Sequence, residues 1–183
     1  IIYNIMIYLI AGHNNNDTGA VSNGLKESDL TKVIRDLVYK RIKQIDSKAL
    51  VTKDDDKDSL SQVISKIKPK IQSSDVLLDI HYNSASNVAT GIECLVSNNA
   101  GAKSIEIAKE ICEITHKITG LRDRGVKKES ESARGKLGIL NMKGSAVIWE
   151  VAFINNPNDV KAVNDNLHWI CEEIALILIK HSK

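Results

Sequence analysis

Two histidines and two glutamates stand where apolar segments end or where a helix begins. His13 follows the apolar run that ends at Gly12, His81 ends the run 76–81, and Glu27 opens an amphipathic helical pattern. Two imidazoles and one carboxylate are a ligand set of catalytic zinc, which keeps a coordination position open. The sequence therefore predicts a zinc site formed by His13, Glu27 and His81.

Glu150 is the predicted general base of this site. It lies in the apolar run 146–153. Burying an unpaired carboxylate costs free energy, so a purely structural role does not explain this residue. Beside a metal ion, this residue could take a proton from water and pass it to a leaving amine, which is the chemistry of amide hydrolysis. Glu93, in another apolar segment, is the alternative. Asp79 is expected to orient the His81 imidazole from behind.

Hydrophobic periodicity predicts the elements that position these residues. Apolar runs of strand length alternate with three- and four-residue helical repeats. The predicted strands cover 5–10, 49–52, 76–82, 91–97, 137–140 and 146–151. Helices are predicted over 27–46, from Ser59 to about Pro69, around Ile107 to Ile118, and from Pro157 through Leu178. This alternation predicts a single α/β domain over residues 1–183, with a mostly parallel sheet of about six strands and helices on both faces. Ligands of such sheets gather at the carboxyl ends of the strands, where His13, His81 and Glu150 are expected.

Helix boundaries carry their own signals. Ser59 and Gln62 form a capping-box pattern, and Asn156 followed by Pro157 is typical of a helix start. Gly120 is expected to end the preceding helix.

Two charged segments are expected to lie outside the core. Residues 120–136 are nearly free of large apolar side chains and are predicted to form a long loop, a solvated segment rather than a binding site for an anionic polymer. The acidic run 54–58 is predicted to be a solvated turn rather than a metal site.

Composition narrows the class of protein. The chain has 183 residues, of which 43% are hydrophobic, and its formal net charge is +2, so no nucleic-acid partner is indicated. The three cysteines are widely spaced and are predicted to be buried apolar residues. No segment is long and apolar enough for a membrane span. The opening IIYNIMIYLI lacks the basic leading region of a signal peptide and is predicted to be a strand.

Five segments in order resemble the zinc-dependent N-acetylmuramoyl-L-alanine amidases of the type 3 amidase family. They are AGHNNNDTGAVSNGLKESDL, LLDIHYNSAS, TGIECLVSN, RDRGVK and VIWEVAFINNPND. The resemblance implies zinc ligands at His13, Glu27 and His81, a catalytic glutamate at Glu150, and peptidoglycan as substrate. The bond cleaved would join the muramoyl lactyl group to L-alanine. Two positions depart from the family pattern: Lys53 replaces a usual arginine and Asp79 a usual serine.

The resemblance also implies a place of action and leaves alternatives open. The protein is expected to act on the cell wall, as the catalytic part of a phage endolysin released from the cytoplasm or of a secreted bacterial autolysin. A separate cell-wall-binding domain is a possible partner. The alternatives are a zinc peptidase or small-amide hydrolase with another substrate, and a non-catalytic wall-binding module.

Overall fold

The centre of the molecule is a twisted, mostly parallel sheet. The computed structural model describes residues 5–85 and 88–183. Within them, the sheet strands are β1 (Met6–Ala11), β4 (Leu50–Lys53), β5 (Val76–Asn83), β6 (Ile92–Val96), β7 (Asp123–Lys128) and β8 (Ser145–Phe153), and a separate small hairpin pairs β2 (Val21–Ser22) with β3 (Leu25–Lys26). The six strands lie in the order β4-β1-β5-β8-β6-β7. Neighbours are parallel except β6 and β8, so the predicted sheet is confirmed.

Helices cover both faces of this sheet, which makes a three-layer α/β fold. Helices α1 (Glu27–Ile45), α3 (Ala102–Thr119) and α4 (Pro157–Lys180) pack over the larger apolar core on one face. Helix α2 (Leu60–Ile67) and a 3₁₀ turn (Gly138–Asn141) cover a smaller core on the other. Because both faces are covered, the central strands read as continuous apolar runs.

The predicted helix boundaries are confirmed by their caps. The Ser59 side chain accepts a hydrogen bond from the Gln62 N–H, and the Gln62 side chain accepts one from the Ser59 N–H. The Asn156 side chain caps α4, with Pro157 at its first position. Gly120 ends α3 in the left-handed conformation, with φ of 71°.

Two secondary-structure predictions are wrong. Part of the predicted loop 120–136 is the edge strand β7, which pairs with β6. An edge strand needs few apolar side chains because one side of it has no strand neighbour. The predicted strand 137–140 is mainly the 3₁₀ turn, whose Ile139 and Leu140 pack into the smaller core. A run this short does not distinguish the two conformations.

Several smaller predictions can be checked on the described residues. All three cysteines are buried. Within the described chain no helix combines the length and apolar character needed to cross a membrane. The predicted strand at the start of the chain is found from Met6 onward, while its first four residues lie outside the described part.

Candidate metal centre and active site

The three predicted metal ligands converge at one edge of the sheet. His13 comes two residues after β1, and His81 lies near the end of the adjacent parallel strand β5. Glu27 is the first residue of α1 and is 3% exposed. The β2–β3 hairpin immediately precedes Glu27, so it determines where α1 starts relative to the strand ends.

The side chains of these residues meet. Glu27 Oε2 lies 3.1 Å from His13 Nε2, and Glu27 Oε1 lies 3.0 Å from His81 Nδ1. One ligand atom from each residue falls within 4.8 Å of the others. Zinc bonds of about 2 Å in a tetrahedral site put ligand atoms roughly 3.3 Å apart, so a small contraction suffices to hold one ion. Two nitrogens and one oxygen also suit the borderline softness of zinc.

Two glycines allow this close approach. A Cβ on Gly12 would lie 2.5 Å from the His81 ring. A Cβ on Gly19 would lie 2.5 Å from the His13 ring and 2.6 Å from Glu27 Oε2, and Gly19 also has a positive φ of 63°. Any side chain at these positions would displace the ligands. His13 itself has φ of 70°, an uncommon conformation for a residue with a side chain.

Hydrogen bonds orient the ligands. The Ala20 and Tyr82 backbone N–H groups each donate to Glu27, both at 3.0 Å, which leaves its carboxylate in one orientation. His13 Nδ1 lies 2.9 Å from Asp17 Oδ2, so its other nitrogen faces Glu27. Such partners select the tautomer and raise the basicity of a ligating imidazole. Asp17 is not among the residues predicted from the sequence, although it stands four positions after His13.

Asp79 lies behind His81, where it was predicted. Its carboxylate is almost fully buried, and Oδ2 lies 3.4 Å from His81 Nε2. The opposite nitrogen of the same ring faces Glu27. The position suits an orienting role, which stays a prediction.

The protonation of the ligand cluster follows from these contacts. Burial opposes the charged form of His13, but hydrogen bonds to Glu27 and Asp17 outweigh it and raise the pKa of His13. Burial likewise disfavours charged His81, yet the nearby Asp79 and Glu27 carboxylates raise its pKa well above the usual value. Burial would raise the pKa of Glu27, but hydrogen bonds to both imidazoles hold it far below its ordinary range. In the metal-free protein, the imidazoles of His13 and His81 therefore bind protons more tightly than ordinary histidines do.

Glu150 lies beside this cluster. It is on β8 and pairs in register with His81 on β5. An extra residue in β8 follows, because Asn83 pairs with Phe153. Burial raises the pKa of Glu150 to about 7; positively charged His81 lowers it, and the negative charge of Glu27 adds to the increase. A carboxylate with a pKa near neutrality is well matched to accepting and returning a proton.

Glu93, the alternative base, is engaged in ion pairs. It faces Glu150 across the β6–β8 pair, is 6% exposed and accepts a hydrogen bond from Asn83 Nδ2 at 3.0 Å. Arg124 Nε and Lys127 Nζ each lie 2.6 Å from Glu93 Oε2. Burial would raise the pKa of Glu93, but these two cations lower it. A carboxylate held this firmly in its ionised form is poorly suited to proton transfer.

A buried arginine that was not predicted from the sequence anchors the strand end that carries His13. Arg35 on α1 is 1% exposed, and its Nη1 lies 2.9 Å from Asp54 Oδ1. The same carboxylate accepts a hydrogen bond from the Ala11 N–H at 3.1 Å. The prediction that 54–58 is only a solvated turn is thus wrong for Asp54, whose side chain is 3% exposed. A charged residue at a core position of the helical repeat was the available signal.

A second missed residue, Glu129, supports one wall of the site. Its carboxylate is 2% exposed and accepts hydrogen bonds from the Asn98 and Leu137 N–H groups and from Asn141 Nδ2. The first and last residues of the segment 129–137 are thereby held together. The segment between them lines a cavity of about 640 Å³ that also contains the metal-ligand cluster and Glu150.

The aromatic residues contribute little to this cavity. Trp149 is fully buried in the core, as predicted. Trp169, expected in the core or at its rim, is instead 62% exposed on α4. Neither residue lines the cavity.

Fold and site together define a three-layer α/β protein with a candidate two-histidine, one-glutamate metal centre at the carboxyl edge of a mostly parallel sheet. A family model described as N-acetylmuramoyl-L-alanine amidase matches residues 7–177. The chain therefore belongs to the N-acetylmuramoyl-L-alanine amidase family.

The relatives that the chain resembles include an N-acetylmuramoyl-L-alanine amidase and a phage endolysin. The chain is 29% identical over 154 residues to the protein YqiI of Bacillus subtilis (strain 168), covering 84% of this chain and 72% of YqiI. It is 26% identical over 166 residues to the N-acetylmuramoyl-L-alanine amidase CwlM of Bacillus licheniformis, covering 88% and 62%. It is 26% identical over 183 residues to the endolysin of Bacillus phage SPP1, covering 94% and 66%. The chain thus matches roughly two thirds of the length of these relatives.

Solved structures share the fold. AmiC2, an N-acetylmuramoyl-L-alanine amidase of Nostoc punctiforme, superposes with a TM-score of 0.80 at 18% identity, covering 97% of both chains. An N-acetylmuramoyl-L-alanine amidase of Clostridium difficile 630 superposes with a TM-score of 0.76 at 23% identity, covering 97% of this chain and 94% of the other. Identities this low establish the fold alone.

Proposed function

We propose that this chain is a zinc-dependent N-acetylmuramoyl-L-alanine amidase. It hydrolyses the amide between the lactyl carbonyl of N-acetylmuramic acid and the amine of L-alanine in peptidoglycan. His13, Glu27 and His81 bind the zinc ion, and Glu150 is the general base. The chain acts as one catalytic domain over residues 1–183.

One observation carries the proposal. Three side chains from separate parts of the chain bring two nitrogens and one oxygen within 4.8 Å of one another, on the wall of a cavity that Glu150 also lines. An imidazole–carboxylate cluster of this kind is expensive to keep partly buried unless it binds something. Glycines at the two points of closest approach support the same reading.

The residues then divide the work. A bound zinc ion supplies Lewis acidity, which polarises the amide carbonyl and makes water more acidic. Glu150 accepts a proton from the attacking water as its oxygen bonds to the carbonyl carbon. Glu150 then delivers that proton to the alanine nitrogen as the carbon–nitrogen bond breaks, which gives the muramoyl carboxylate and a free alanine amine. Asp17 and Asp79 hold the two imidazoles in the tautomers that the site needs.

The place of action follows from the substrate. The protein acts on the cell wall, as the catalytic part of an endolysin or an autolysin, and a separate wall-binding domain would add affinity. The similarity to the SPP1 endolysin supports the first of these contexts.

Product analysis tests the activity. The purified chain, loaded with zinc, should solubilise peptidoglycan and release new alanine amines without new reducing sugar ends. New reducing ends would instead identify a glycosidase, and new amines on other residues a peptidase. Binding to walls without any product would identify a wall-binding module.

Metal analysis tests the cofactor. We expect one zinc per chain, loss of activity after chelation and recovery when zinc is returned. A His81→Ala variant should bind zinc at least about tenfold less tightly, because it lacks one of the three proposed metal ligands. A His116→Ala variant is the matched control, because His116 is an exposed residue of α3. Full activity of the chelated wild type would contradict the zinc assignment.

A further inference from the structure

The cavity that contains the metal-ligand cluster has an uneven charge distribution. Six of its lining residues are acidic: Asp17, Glu27, Asp79, Glu93, Glu131 and Glu150. Arg134 is the single lysine or arginine among the described residues that line it. Glu93 is matched by Arg124 and Lys127, and Glu27 and Asp79 face imidazoles of the metal-ligand cluster. Among the described lining residues, Arg134 is the cationic side chain left to attract an anionic group of a substrate.

Arg134 also shares its cavity with the candidate metal ligands. It lines the main cavity and also a smaller adjoining cavity of about 80 Å³. His13 and His81 line both cavities as well. Arg134, like the two histidines, therefore lies on the wall that the two cavities share. A substrate group that it binds would share the cavity with the bond being broken.

The charge of Arg134 is not used within the described part of the chain. Arg124 and Lys127, on the preceding strand, both pair with Glu93. Arg134 is exposed and makes no salt bridge there. The nearest acidic neighbour in sequence, Glu131, accepts a hydrogen bond from the Lys128 N–H at 2.6 Å and so caps its own turn. An arginine with five free donors suits bidentate binding of a carboxylate.

The segment that carries Arg134 is anchored. Glu129 and Leu137 are joined by a hydrogen bond of 2.7 Å from the Leu137 N–H to the Glu129 carboxylate, which closes the segment at its base. The Ser132 hydroxyl donates to the Glu129 carbonyl at 2.7 Å. A closed segment presents Arg134 to the cavity at a lower entropic cost than an open loop would.

The chemistry of the substrate indicates which carboxylate is bound. In the proposed reaction the only carboxyl group of muramic acid is already part of the scissile amide, and the neighbouring sugars are uncharged. An anion near the bond must therefore belong to the peptide. The alanine carboxyl is itself joined to the next residue, so that residue is the nearest one on which a free carboxylate can stand.

We propose that Arg134 is a specificity-determining residue that binds a carboxylate on the peptide residue next to L-alanine. This inference rests on the proposed amidase function and adds a substrate preference to it. The enzyme should favour wall peptides with a free carboxylate at that position over peptides in which it is a carboxamide.

Two synthetic substrates test this preference. N-acetylmuramoyl-L-alanyl-glutamate and the corresponding glutamine compound are made with the same stereochemistry and with an amidated carboxyl terminus, so that they differ in one carboxylate. Wild type should cleave the glutamate compound with a kcat/KM at least about tenfold higher, the effect of one charged hydrogen bond. Arg134→Ala should remove most of that advantage and change the rate on the glutamine compound less than about threefold. Arg134→Lys should recover part of it.

The control and a binding measurement separate this proposal from the amidase proposal. Lys136→Ala removes an exposed charge from the same segment, away from the cavity lining, and should keep the preference. Calorimetric titration of both compounds into wild type and Arg134→Ala, after chelation, should show tighter binding of the glutamate compound to wild type alone. If wild type cleaves neither compound, the amidase proposal fails while this titration still decides the role of Arg134. Equal binding of the two compounds by wild type, or an equal loss on both in Arg134→Ala, would overturn the proposal.

Discussion

Replacing the proposed base should make the protein more stable while it removes activity. Burial raises the pKa of Glu150 from 4.5 to about 7, a difference of 2.5 units. At about 1.36 kcal/mol per unit, the ionised form costs up to roughly 3 kcal/mol in the metal-free protein, and partial exposure to the cavity reduces this to about 2 kcal/mol.

The sign of the pH effect follows from the direction of the shift. The folded protein holds the Glu150 proton more tightly than the unfolded chain does. The contribution of this proton to the free energy of unfolding is therefore complete below about pH 4.5 and is lost as pH rises through about 7. Glutamine has no such proton, so Glu150→Gln should gain about 2 kcal/mol relative to wild type between these two pH values.

Urea unfolding of the chelated proteins at about pH 4.5 and pH 8 measures this difference. Glu113→Gln is the control, because the Glu113 side chain is 65% exposed and its substitution removes a carboxylate that is not buried. The zinc-loaded Glu150→Gln variant should also lose about 10²- to 10⁴-fold in kcat, the usual contribution of a general base. A stability difference that does not change with pH would refute the burial argument, and normal turnover would remove Glu150 from the mechanism.

Three further predictions concern the support of the site. Arg35→Met should lower the free energy of unfolding, measured in urea, by about 3–5 kcal/mol, because it leaves the Asp54 carboxylate buried without its cation. Adding Asp54→Asn should restore part of this loss, and equal stability of the single variant and wild type would contradict the argument. Gly12→Ala should weaken zinc binding at least about tenfold in a chelator competition assay, because the new Cβ would lie 2.5 Å from the His81 ring. Unchanged affinity would show that the ring can move without loss of zinc binding. Zinc affinity should fall as pH drops from about 8 to 6, because the raised pKa values of His13 and His81 mean that zinc must displace protons. Calorimetry in buffers of different ionisation enthalpy should detect the release of these protons. An affinity that does not change with pH would contradict the proton-binding cluster described above.

Much of the fold could be predicted because its signals are local. The helix starts at Ser59 and Pro157 depend on side chains that bond to their own backbone within a few residues. The central strands are covered on both faces, so each is a continuous apolar run. The edge strand β7 gave no such signal, since its charged residues Arg124 and Lys127 are accommodated by pairing with Glu93 on the neighbouring strand.

The site divides in the same way. His13, Glu27, His81 and Glu150 could be proposed because their residue types are suited to zinc chemistry and because each stands at the end of an element or in an apolar run. Their partners could not be found from local patterns. Asp54 reads as one of several aspartates in a polar run, and only the packing of α1 against β1 brings Arg35 to it.

The sequence by itself determined the alternation of strands and helices, the caps that delimit them and the residue types able to bind a metal ion, because these depend on neighbours a few positions apart. Only the tertiary structure decided which charged residues are paired and which are left for a ligand. Ion pairs form between residues that are distant in sequence, so no local pattern shows whether Glu93 or Arg134 is paired. Glu93 is neutralised by two cations from an adjacent strand, whereas Arg134 lines the cavity with its charge available.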